Sequence, residues 1–501
     1  MDSYDIIIIG AGLSGINSAY RLQTELPGHS FLILESRDSI GGTWGFWKYP
    51  GVRSDSAMGV FGLSWYPWPH DTNMGDAHLI RDYIEDAAAS RGIDSKIRFG
   101  HRVAGMSWSS EEQRWTLSVT ASGPSGLDGA GKREFSLSAK WVINCGGYYN
   151  YEKPLPVVIP GIEKFKGEVV HPQFWGDEID HAGKEIVVIG SGATAVTLLP
   201  ALAETAASVT ILQRSPSYVF SLDGKDSTIT FLRRWLPSRW ASTINWWRTM
   251  ISEIFFVSVL ANFPNLGRML IRYATKKQLP PGLDVDKHFN PRYNPLDQRL
   301  CLCPDGNFFE ALRKPHCDIV TDTIETVTET GILTTSGCTL KADMIVTATG
   351  LLMGLLGGLE VTIDGERVSE RIAERYCWHS SMLEGIPNTG TVAGYTASTW
   401  TPGADAHVRM LIRVIKHMDR VGATSAVPFI DPERRKSFPQ KPAVTNSSTY
   451  IVSAKDRLPI VADVGPWRNG KSWLADMWQL RFGSVTDGMR YTVPEGKAKG
   501  D

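Results

Sequence analysis

The stretch Asp5-Ile6-Ile7-Ile8-Ile9-Gly10-Ala11-Gly12-Leu13-Ser14-Gly15 decides the first fold of this chain. Four isoleucines predict a buried strand that runs directly into a glycine-rich turn, and apolar residues at helical spacing follow as far as Leu26. A second strand is predicted at Phe31–Leu34, which completes a β-α-β unit. The glycines allow close approach of a pyrophosphate, and the helix N-terminus offers it unpaired N–H groups. We therefore predict a dinucleotide site at Gly10, Gly12, Leu13, Ser14 and Gly15.

An acidic residue, Glu35, follows the second predicted strand and stands 20 residues after Gly15. A carboxylate at this position accepts hydrogen bonds from the ribose hydroxyls of a dinucleotide and repels a 2′-phosphate. The first site is therefore predicted to bind FAD or NAD and to exclude NADP.

The same pattern returns at Glu185–Ile189, where a predicted strand is followed by Gly190-Ser191-Gly192-Ala193-Thr194-Ala195. A cation and a hydroxyl, Arg214 and Ser215, follow the next predicted strand, where the first site has its acid. Arginine forms paired hydrogen bonds with phosphate, so these residues favour the 2′-phosphate of NADPH. The contrast assigns FAD to the first site and NADPH to the second. The alternative for Arg214 is a solvated arginine without a ligand.

Two dinucleotide folds in one chain predict an α/β protein with two Rossmann-like domains. Both domains are expected to be discontinuous. A segment rich in Trp, Arg and apolar residues interrupts the second one. We predict an FAD-binding domain at 1–155 and 351–501, an NADPH-binding domain at 156–219 and 296–350, and a helical insertion at 220–295. A Gly/Ser-rich hairpin loop is predicted at 122–131 between strands at Trp115–Val119 and Glu134–Leu137. Helical spacing predicts a helix at Asp405–Arg420 that ends near Gly422.

Composition excludes several classes of function. The 501 residues contain 52 Lys and Arg and 53 Asp and Glu, so there is no net positive charge to attract nucleic acid. None of the six cysteines form a Cys-x-x-Cys pair, which disfavours a disulfide reductase, and no metal site is predicted. The N-terminus lacks a basic segment and a long apolar run, so we expect a cytoplasmic chain.

Several motifs narrow the chemistry because together they resemble the Baeyer-Villiger monooxygenases, a family of class B flavoprotein monooxygenases. They are Gly41-Gly42-Thr43-Trp44, Tyr49-Pro50-Gly51-Val52-Arg53-Ser54-Asp55, the fingerprint of Phe165, Gly167, His171 and Trp175, the segment 292–301, and Gly394-Tyr395-Thr396-Ala397-Ser398-Thr399-Trp400. The similarity covers nearly the whole chain. It is greatest to the subgroup with the ethionamide-activating and long-chain alkane monooxygenases.

The resemblance implies an enzyme that uses NADPH and O₂ to convert ketones to esters or lactones through a C4a-peroxyflavin. Arg299 would be the cation beside the reacting oxygen, and Asp55 the carboxylate that holds it. The alternatives are a surface arginine and a helix-capping aspartate. A flavin-dependent S- or N-oxygenase, acting for example on a thioether, is the rival reaction.

Further residues receive roles from the same comparison. His171 is expected to couple domain movement to the position of NADP, with a buried structural histidine or direct acid–base catalysis as the alternatives, while Phe165 and Trp175 pack. Gln298 stands where many relatives have a Lys that reaches the 2′-phosphate, so Arg214 is the main discriminator. Trp400 is expected against NADP or the substrate cavity, with an ordinary core Trp as the alternative. The cofactor-binding set also includes Thr43, Trp44, Arg53, Asp55 and Val103.

The predicted insertion combines aromatic and basic residues. Four tryptophans lie close in sequence to four arginines: Trp235, Trp240, Trp246 and Trp247, and Arg233, Arg234, Arg239 and Arg248. We expect a packed helical lobe over the substrate entrance, and the alternative is peripheral contact with a membrane. The apolar run at 254–261 is too short to cross a bilayer, and Glu253 interrupts it.

Overall fold

The computed structural model describes residues 1–122, 133–395, 398–444, 446–468 and 473–494. The hairpin loop predicted at 122–131 lies outside the described residues except for Ser122, as do Thr396 and Ala397 of the last motif.

The first nucleotide-binding fold is built on a mixed sheet. In order across the sheet its strands are Glu366–Arg367, Glu360–Ile363, His101–Ser109, Arg114–Ala121, Arg133–Asn144, Ser3–Ile9, Phe31–Leu34 and Ile97–Arg98. Thr389–Thr391 pairs in parallel with the end of Arg133–Asn144. Strand pairing is parallel around Ser3–Ile9, as predicted, but antiparallel from His101 to Arg133. The sheet is therefore mixed: the antiparallel pairing of Arg114–Ala121 with Arg133–Asn144 agrees with the predicted hairpin, and the strand His101–Ser109 was not predicted.

The helices of this fold cover one face of the sheet. They are Leu13–Glu25, Ala77–Ala89, Trp400–Val421 and Trp473–Phe482. The first and third pack against each other in the main hydrophobic core with Ile6 and Ile8. The alternate residue Ile7 points to a second core on the other face, so both faces of the strand are buried.

The second fold has a sheet of five parallel strands. They are Glu168–Val170, Met344–Thr347, Glu185–Ile189, Ser208–Gln213 and Cys317–Thr321. Helices Ala193–Leu202 and Asn307–Leu312 cover one face. The three-stranded antiparallel sheet Ile324–Thr328, Gly331–Thr334 and Thr339–Lys341 covers the other. The predicted architecture of two Rossmann-like folds is confirmed.

The insertion is helical over most of its length. Its helices are Ser227–Trp235, Ser238–Asn262, Pro264–Gln278 and Val285–His288. It starts, however, on a strand, since Val219–Leu222 pairs in parallel with Cys301–Pro304. Both ends of the insertion are thus held side by side, which the sequence did not indicate because the strand partners are distant in the chain. The exact domain limits stay a prediction.

Short elements connect these layers. The two-stranded pairs are Arg53–Ser54 with Gly75–Asp76, Tyr149–Pro154 with Leu351–Met353, Cys377–Trp378 with Met382–Leu383, Ser425–Pro428 with Met489–Thr492, and Lys441–Pro442 with Ile460–Val461. The short helices are Thr43–Phe46, Met58–Phe61, Pro432–Lys436 and Thr449–Val452. The 3₁₀ turns are Asp94–Lys96, Ile162–Lys164, Pro172–Phe174, Leu355–Gly358, Ser369–Glu374, Lys455–Arg457 and Gly465–Trp467. The pair Tyr149–Pro154 with Leu351–Met353 joins the two chain segments that pass between the domains.

Candidate active site

The first glycine loop is closely packed. Gly10 has a φ of +99°, which favours glycine, and a Cβ there would lie 2.8 Å from the carbonyl oxygen of Cys145. A Cβ on Gly42 would lie 2.9 Å from Cα of Gly12, so the two predicted glycine motifs form one backbone cradle. A pyrophosphate can approach this backbone closely, because neither Gly12 nor Gly42 carries a side chain.

Glu35 holds this loop from behind. Its carboxylate accepts hydrogen bonds from the backbone N–H of Ala11 at 2.7 Å and of Arg37 at 3.0 Å. The side chain is buried. Sequence reasoning assigned Glu35 to the ribose alone, whereas the carboxylate also orders the loop that would receive the cofactor.

Arg37 is a residue that sequence reasoning missed. Its Nη1 donates to the carbonyl of Gly42 at 2.9 Å, and its guanidinium carbon lies 4.4 Å from the ring centre of Tyr151. The hydroxyl of Tyr151 is 3.1 Å from Oγ1 of Thr43. These contacts order the Gly-Gly-Thr-Trp motif, in which Trp44 packs edge-on against Phe61.

Trp400 also belongs to this site. Its indole N–H donates to Oγ of Ser14 at 3.0 Å, and its ring stacks on Tyr148 at 5.2 Å between ring centres. Trp400 starts the helix Trp400–Val421, five residues before the predicted start at Asp405. The amphipathic pattern begins only at Asp405, because the preceding turn is buried on all sides. Trp400 therefore contacts the first loop, and its expected contact with NADP or the substrate cavity stays a prediction.

The second glycine loop is more open. Gly190 has a φ of +146°, and a Cβ there would overlap the carbonyl oxygen of Ala348. Nothing lies within 4 Å of a Cβ built on Gly192. The hydroxyl of Ser217 donates to Oγ of Ser191 at 3.0 Å, at the entrance of the loop.

Arg214 and Ser215 follow this loop's second strand and are exposed. Neither has a hydrogen bond or ion pair within the described part of the chain. The preceding residue, Gln213, is buried and donates through Nε2 to the carbonyl of His288 and to Oγ1 of Thr321, both at 2.8 Å. Gln213 thus anchors the end of the strand, and Arg214 remains available for an anion.

The segment Tyr49–Asp55 crosses from the first fold to the second. Gly51 has a φ of +74°, and a Cβ there would lie 2.8 Å from the carbonyl oxygen of Thr197 on the helix Ala193–Leu202. Burial raises the pKa of Tyr49 to about 12, against a smaller opposing effect from the nearby Thr194 side chain. The motif therefore links the first fold to the helix that follows the second glycine loop.

Arg53 lies inside this crossing segment. Its Nε and Nη2 are buried and have no hydrogen-bond partner among the described residues. Burial lowers the pKa of its guanidinium, with smaller opposing effects from groups that include Tyr49 and Asp55. A buried, unpartnered cation is costly, so Arg53 fits a site that receives an anionic group such as a cofactor phosphate.

Arg299 and Asp55 meet although 244 residues separate them in the chain. Arg299 Nε donates to Asp55 Oδ2 at 3.1 Å, and Nη2 donates to Oδ1, which makes a two-pronged ion pair. Asp55 holds the pKa of Arg299 well above its usual value. The Arg299 side chain keeps 46% of its surface accessible, whereas Asp55 keeps only 14%, so the arginine can still contact a bound molecule.

Tyrosines surround this ion pair, and sequence reasoning did not identify them. The hydroxyl of Tyr149 donates to that of Tyr148 at 3.0 Å, and both side chains influence Arg299. Burial raises the pKa of Tyr149 strongly and that of Tyr450 to about 12, so both stay neutral. The available signal was the Gly146-Gly147-Tyr148-Tyr149 run directly after a buried strand, where ligand sites of α/β folds occur.

The fingerprint residues pack at the edge of the second fold. The ring of Phe165 lies where a Cβ on Gly167 would be, 2.6 Å from that position, which explains the glycine. Trp175 is buried in the core beside the helix Ala193–Leu202. His171 Nδ1 accepts a hydrogen bond from the backbone N–H of Gln173 at 3.2 Å. Burial lowers the pKa of His171, against a smaller opposing effect from the Gly350 backbone, so the ring is neutral.

Two assigned residues lie at the margins of the site. Gln298 Nε2 approaches the carbonyl of Ser447 at 3.5 Å, a weak contact with the first fold. Val103 is buried in the second core of that fold, with Leu32 and Leu34. Their predicted contacts with cofactors stay predictions.

A cavity of about 270 Å³ lies apart from Arg299, between the insertion and the segment 59–72. Its walls include Leu63, Trp68, Asn245, Trp246 and Trp247. In the described ranges, no group of three or more His, Cys, Asp or Glu side chains is placed to hold a metal ion.

Two dinucleotide-type folds with an Arg–Asp ion pair are typical of an oxidoreductase. Comparison with known proteins identifies the family. Residues 3–236 match the family described as flavin-binding monooxygenase-like. The chain is 40% identical to the FAD-containing monooxygenase EthA of Mycolicibacterium smegmatis, over 97% of this chain and 96% of that protein.

Solved structures show the same fold. A steroid monooxygenase bound to NADP matches with a TM-score of 0.74 and 19% identity, over 98% of this chain and 100% of that chain. Cyclohexanone-bound cyclohexanone monooxygenase matches with a TM-score of 0.74 and 20% identity, over 98% and 99% of the two chains. This protein belongs to the flavin-binding monooxygenase-like family. The predicted family is confirmed, and FAD and NADP, the cofactors predicted here, are those named for these relatives.

Proposed function

We propose that this chain is an FAD- and NADPH-dependent monooxygenase that uses O₂ to convert ketones to esters or lactones in the cytoplasm. The observation that carries the proposal is the ion pair of Arg299 and Asp55, whose arginine stays 46% accessible and whose aspartate ends the segment that contacts the helix after the second glycine loop. When bound, FAD would supply the activated oxygen, after reduction by NADPH.

The cofactor sites follow from the residues that line them. The cradle of Gly12 and Gly42 would hold the pyrophosphate of FAD, with Glu35 behind it. The exposed Arg214 would bind the 2′-phosphate of NADPH. Arg53, buried and unpartnered, would receive a further negative group between them.

Arg299 would stabilise negative charge on the oxygen atoms that react with the ketone. Its two hydrogen bonds to Asp55 fix the plane of the guanidinium, so no reorganisation is needed when that charge develops. Because Asp55 keeps Arg299 protonated, the cation is present at every physiological pH.

The neighbouring aromatic residues would keep water away from this charge. Tyr148 stacks on Trp400, and the half-buried Tyr149 and Tyr450 lie near Arg299. Low local polarity strengthens the interaction of Arg299 with a developing anion. His171, neutral and held by the Gln173 backbone, would act by positioning the domain linker.

The test compares Arg299→Ala with the wild-type enzyme on a panel of cyclic and linear ketones. Loss of one such donor costs ~2.7 to 4 kcal/mol, so ester formation is expected to fall by at least ~10²-fold. Reduction of the bound flavin by NADPH should persist in stopped-flow measurements. Arg292→Ala, an exposed arginine seven residues earlier, is the matched control and should retain ester formation.

Two results would contradict the proposal. One is full ester yield from Arg299→Ala. The other is wild-type enzyme that oxidises a thioether or an amine but no ketone, which would establish the S- or N-oxygenase reaction instead.

A further inference from the structure

The longest helix of the insertion, Ser238–Asn262, carries an apolar stripe on its solvent side. The stripe consists of Trp240, Ile244, Trp247, Ile251 and Phe255, which recur every three or four residues and so lie on one helical face. These side chains are 44% to 70% exposed. Isolated apolar residues on a surface are ordinary, but a continuous stripe of large ones indicates a partner.

The opposite face of the same helix is held against the protein. Ala241, Asn245 and Leu260 are buried, and Glu253 accepts hydrogen bonds from the backbone N–H of Thr399 at 2.9 Å and from Oγ of Ser398 at 2.7 Å. Glu253 thereby binds the N-terminus of the helix Trp400–Val421. Because this face is already satisfied, rotation of the helix cannot bury the stripe.

The stripe continues onto the neighbouring helices. More than half of the large apolar side chains that are exposed in the described residues lie between 231 and 273. Besides the stripe, these are Phe231, Trp235, Phe263, Leu266, Met269, Leu270 and Tyr273. We call this surface, the stripe and these seven residues, the insertion face.

Basic residues outnumber acidic ones on the helices that carry the insertion face, although Arg248 and Arg272 pair with Asp226 and Asp286 just outside them. Residues 227–278 contain eight basic side chains, Arg233, Arg234, Arg239, Arg248, Arg268, Arg272, Lys276 and Lys277, and one acidic side chain, Glu253, which is turned inward. The whole chain, in contrast, has a net charge of −1. Arg234, Arg239 and Lys276 are exposed and form no ion pair with any described residue.

We propose that the insertion face docks on an anionic lipid bilayer. Tryptophan and basic residues together are typical of helices that lie at the boundary between headgroups and acyl chains. Two copies of this chain would bring like charges together at this face, whereas anionic headgroups complement them. The inference goes beyond the proposed reaction and does not depend on it.

The geometry favours a helix that lies flat. Among the described residues no single helix is long and apolar enough to cross a membrane. The helices Ser238–Asn262 and Pro264–Gln278 meet at a bend of 113°. Because of this bend, the two helices do not form one straight span.

Co-sedimentation with vesicles tests the proposal on the full-length protein. Vesicles of equal parts phosphatidylcholine and phosphatidylglycerol are compared with phosphatidylcholine alone, at low and at high salt. Wild-type protein should pellet with the anionic vesicles, and less so at high salt because salt screens the basic residues. Trp240→Ser/Trp247→Ser and Arg234→Glu/Arg239→Glu should each weaken binding at least about tenfold.

Matched controls separate docking from folding. Trp478→Ser removes a Trp of similar exposure outside the insertion, and Lys96→Glu/Lys416→Glu reverses two exposed charges elsewhere. Both should pellet like wild type, and all variants should retain bound flavin. The proposal is overturned if wild type fails to pellet with anionic vesicles, or if both insertion variants pellet normally. It is also overturned if sedimentation velocity shows a dimer that Trp240→Ser/Trp247→Ser dissociates while vesicles bind neither form.

Discussion

The two glycine loops share one local sequence pattern but differ in how the rest of the chain surrounds them. The first is enclosed, because Gly42 packs on Gly12 and the buried Glu35 binds the loop backbone. The second is open, with nothing near Gly192 and with Arg214 in solvent. An enclosed loop suits a cofactor that stays bound through many turnovers, and an open loop suits one that exchanges. The difference supports FAD in the first site and NADPH in the second.

The largest effect is expected from Gly15→Ala, which places in the first loop the residue type that the second has at Ala195. A Cβ on Gly15 would overlap the carbonyl oxygen of Gly10, so helix and strand must separate. We expect destabilisation of ~1 to 3 kcal/mol or more and loss of bound FAD, measured by thermal unfolding and flavin absorbance. Ala195→Gly, the reverse exchange, should cost only ~1 kcal/mol and leave FAD in place. A Gly15→Ala protein with a full complement of flavin would contradict the proposed difference between the two loops.

Glu35→Ala should have the next largest effect. It removes one charged hydrogen bond from the loop N–H of Ala11 and one from the N–H of Arg37, each worth ~1.5 to 3 kcal/mol, so the Kd for FAD should rise at least ~10²-fold. Fluorescence titration of the flavin-free protein measures this. Arg214→Ala occupies the corresponding position of the second loop and should bind FAD normally. Unchanged FAD affinity in Glu35→Ala would mean that the first loop is ordered without its carboxylate.

Arg214→Ala should have the smallest of the three effects and should appear only with the phosphorylated cofactor. Loss of ~1.5 to 3 kcal/mol of charged hydrogen bonding predicts a KM for NADPH that is ~10- to 150-fold higher. The KM for NADH should stay the same, since NADH has no 2′-phosphate. Steady-state assays with both cofactors measure the ratio, and an unaltered preference for NADPH would remove Arg214 from the site.

Local patterns predicted much of the fold. Both β-α-β units form where predicted, and Gly422 ends its helix with a φ of +72°, because these features depend on neighbouring residues. The hairpin of Arg114–Ala121 with Arg133–Asn144 was predicted, but the strands His101–Ser109 and Val219–Leu222 were missed. Strand pairing depends on partners far away in the chain, which local periodicity does not reveal.

The candidate site shows the same distinction between local and long-range features. Resemblance to a family placed Arg299 and Asp55 together, and their contact in the structure agrees with that expectation. The loop-binding role of Glu35, the tyrosines beside Arg299 and the helix contact of Glu253 had no strong local signal. Each depends on a side chain that meets a backbone or a ring from another segment.

The order of residues along the chain alone determined that this protein has two nucleotide-binding turns, one followed by an acid and the other by a cation. A glycine pattern, a strand and the next charged residue are close in sequence, and short-range sterics and charge suffice to interpret them. Only the tertiary structure decided that one turn is enclosed and the other open, and that the aromatic stripe of the insertion faces outward. Enclosure and exposure depend on which distant segments pack against a residue, and that is a property of the folded chain.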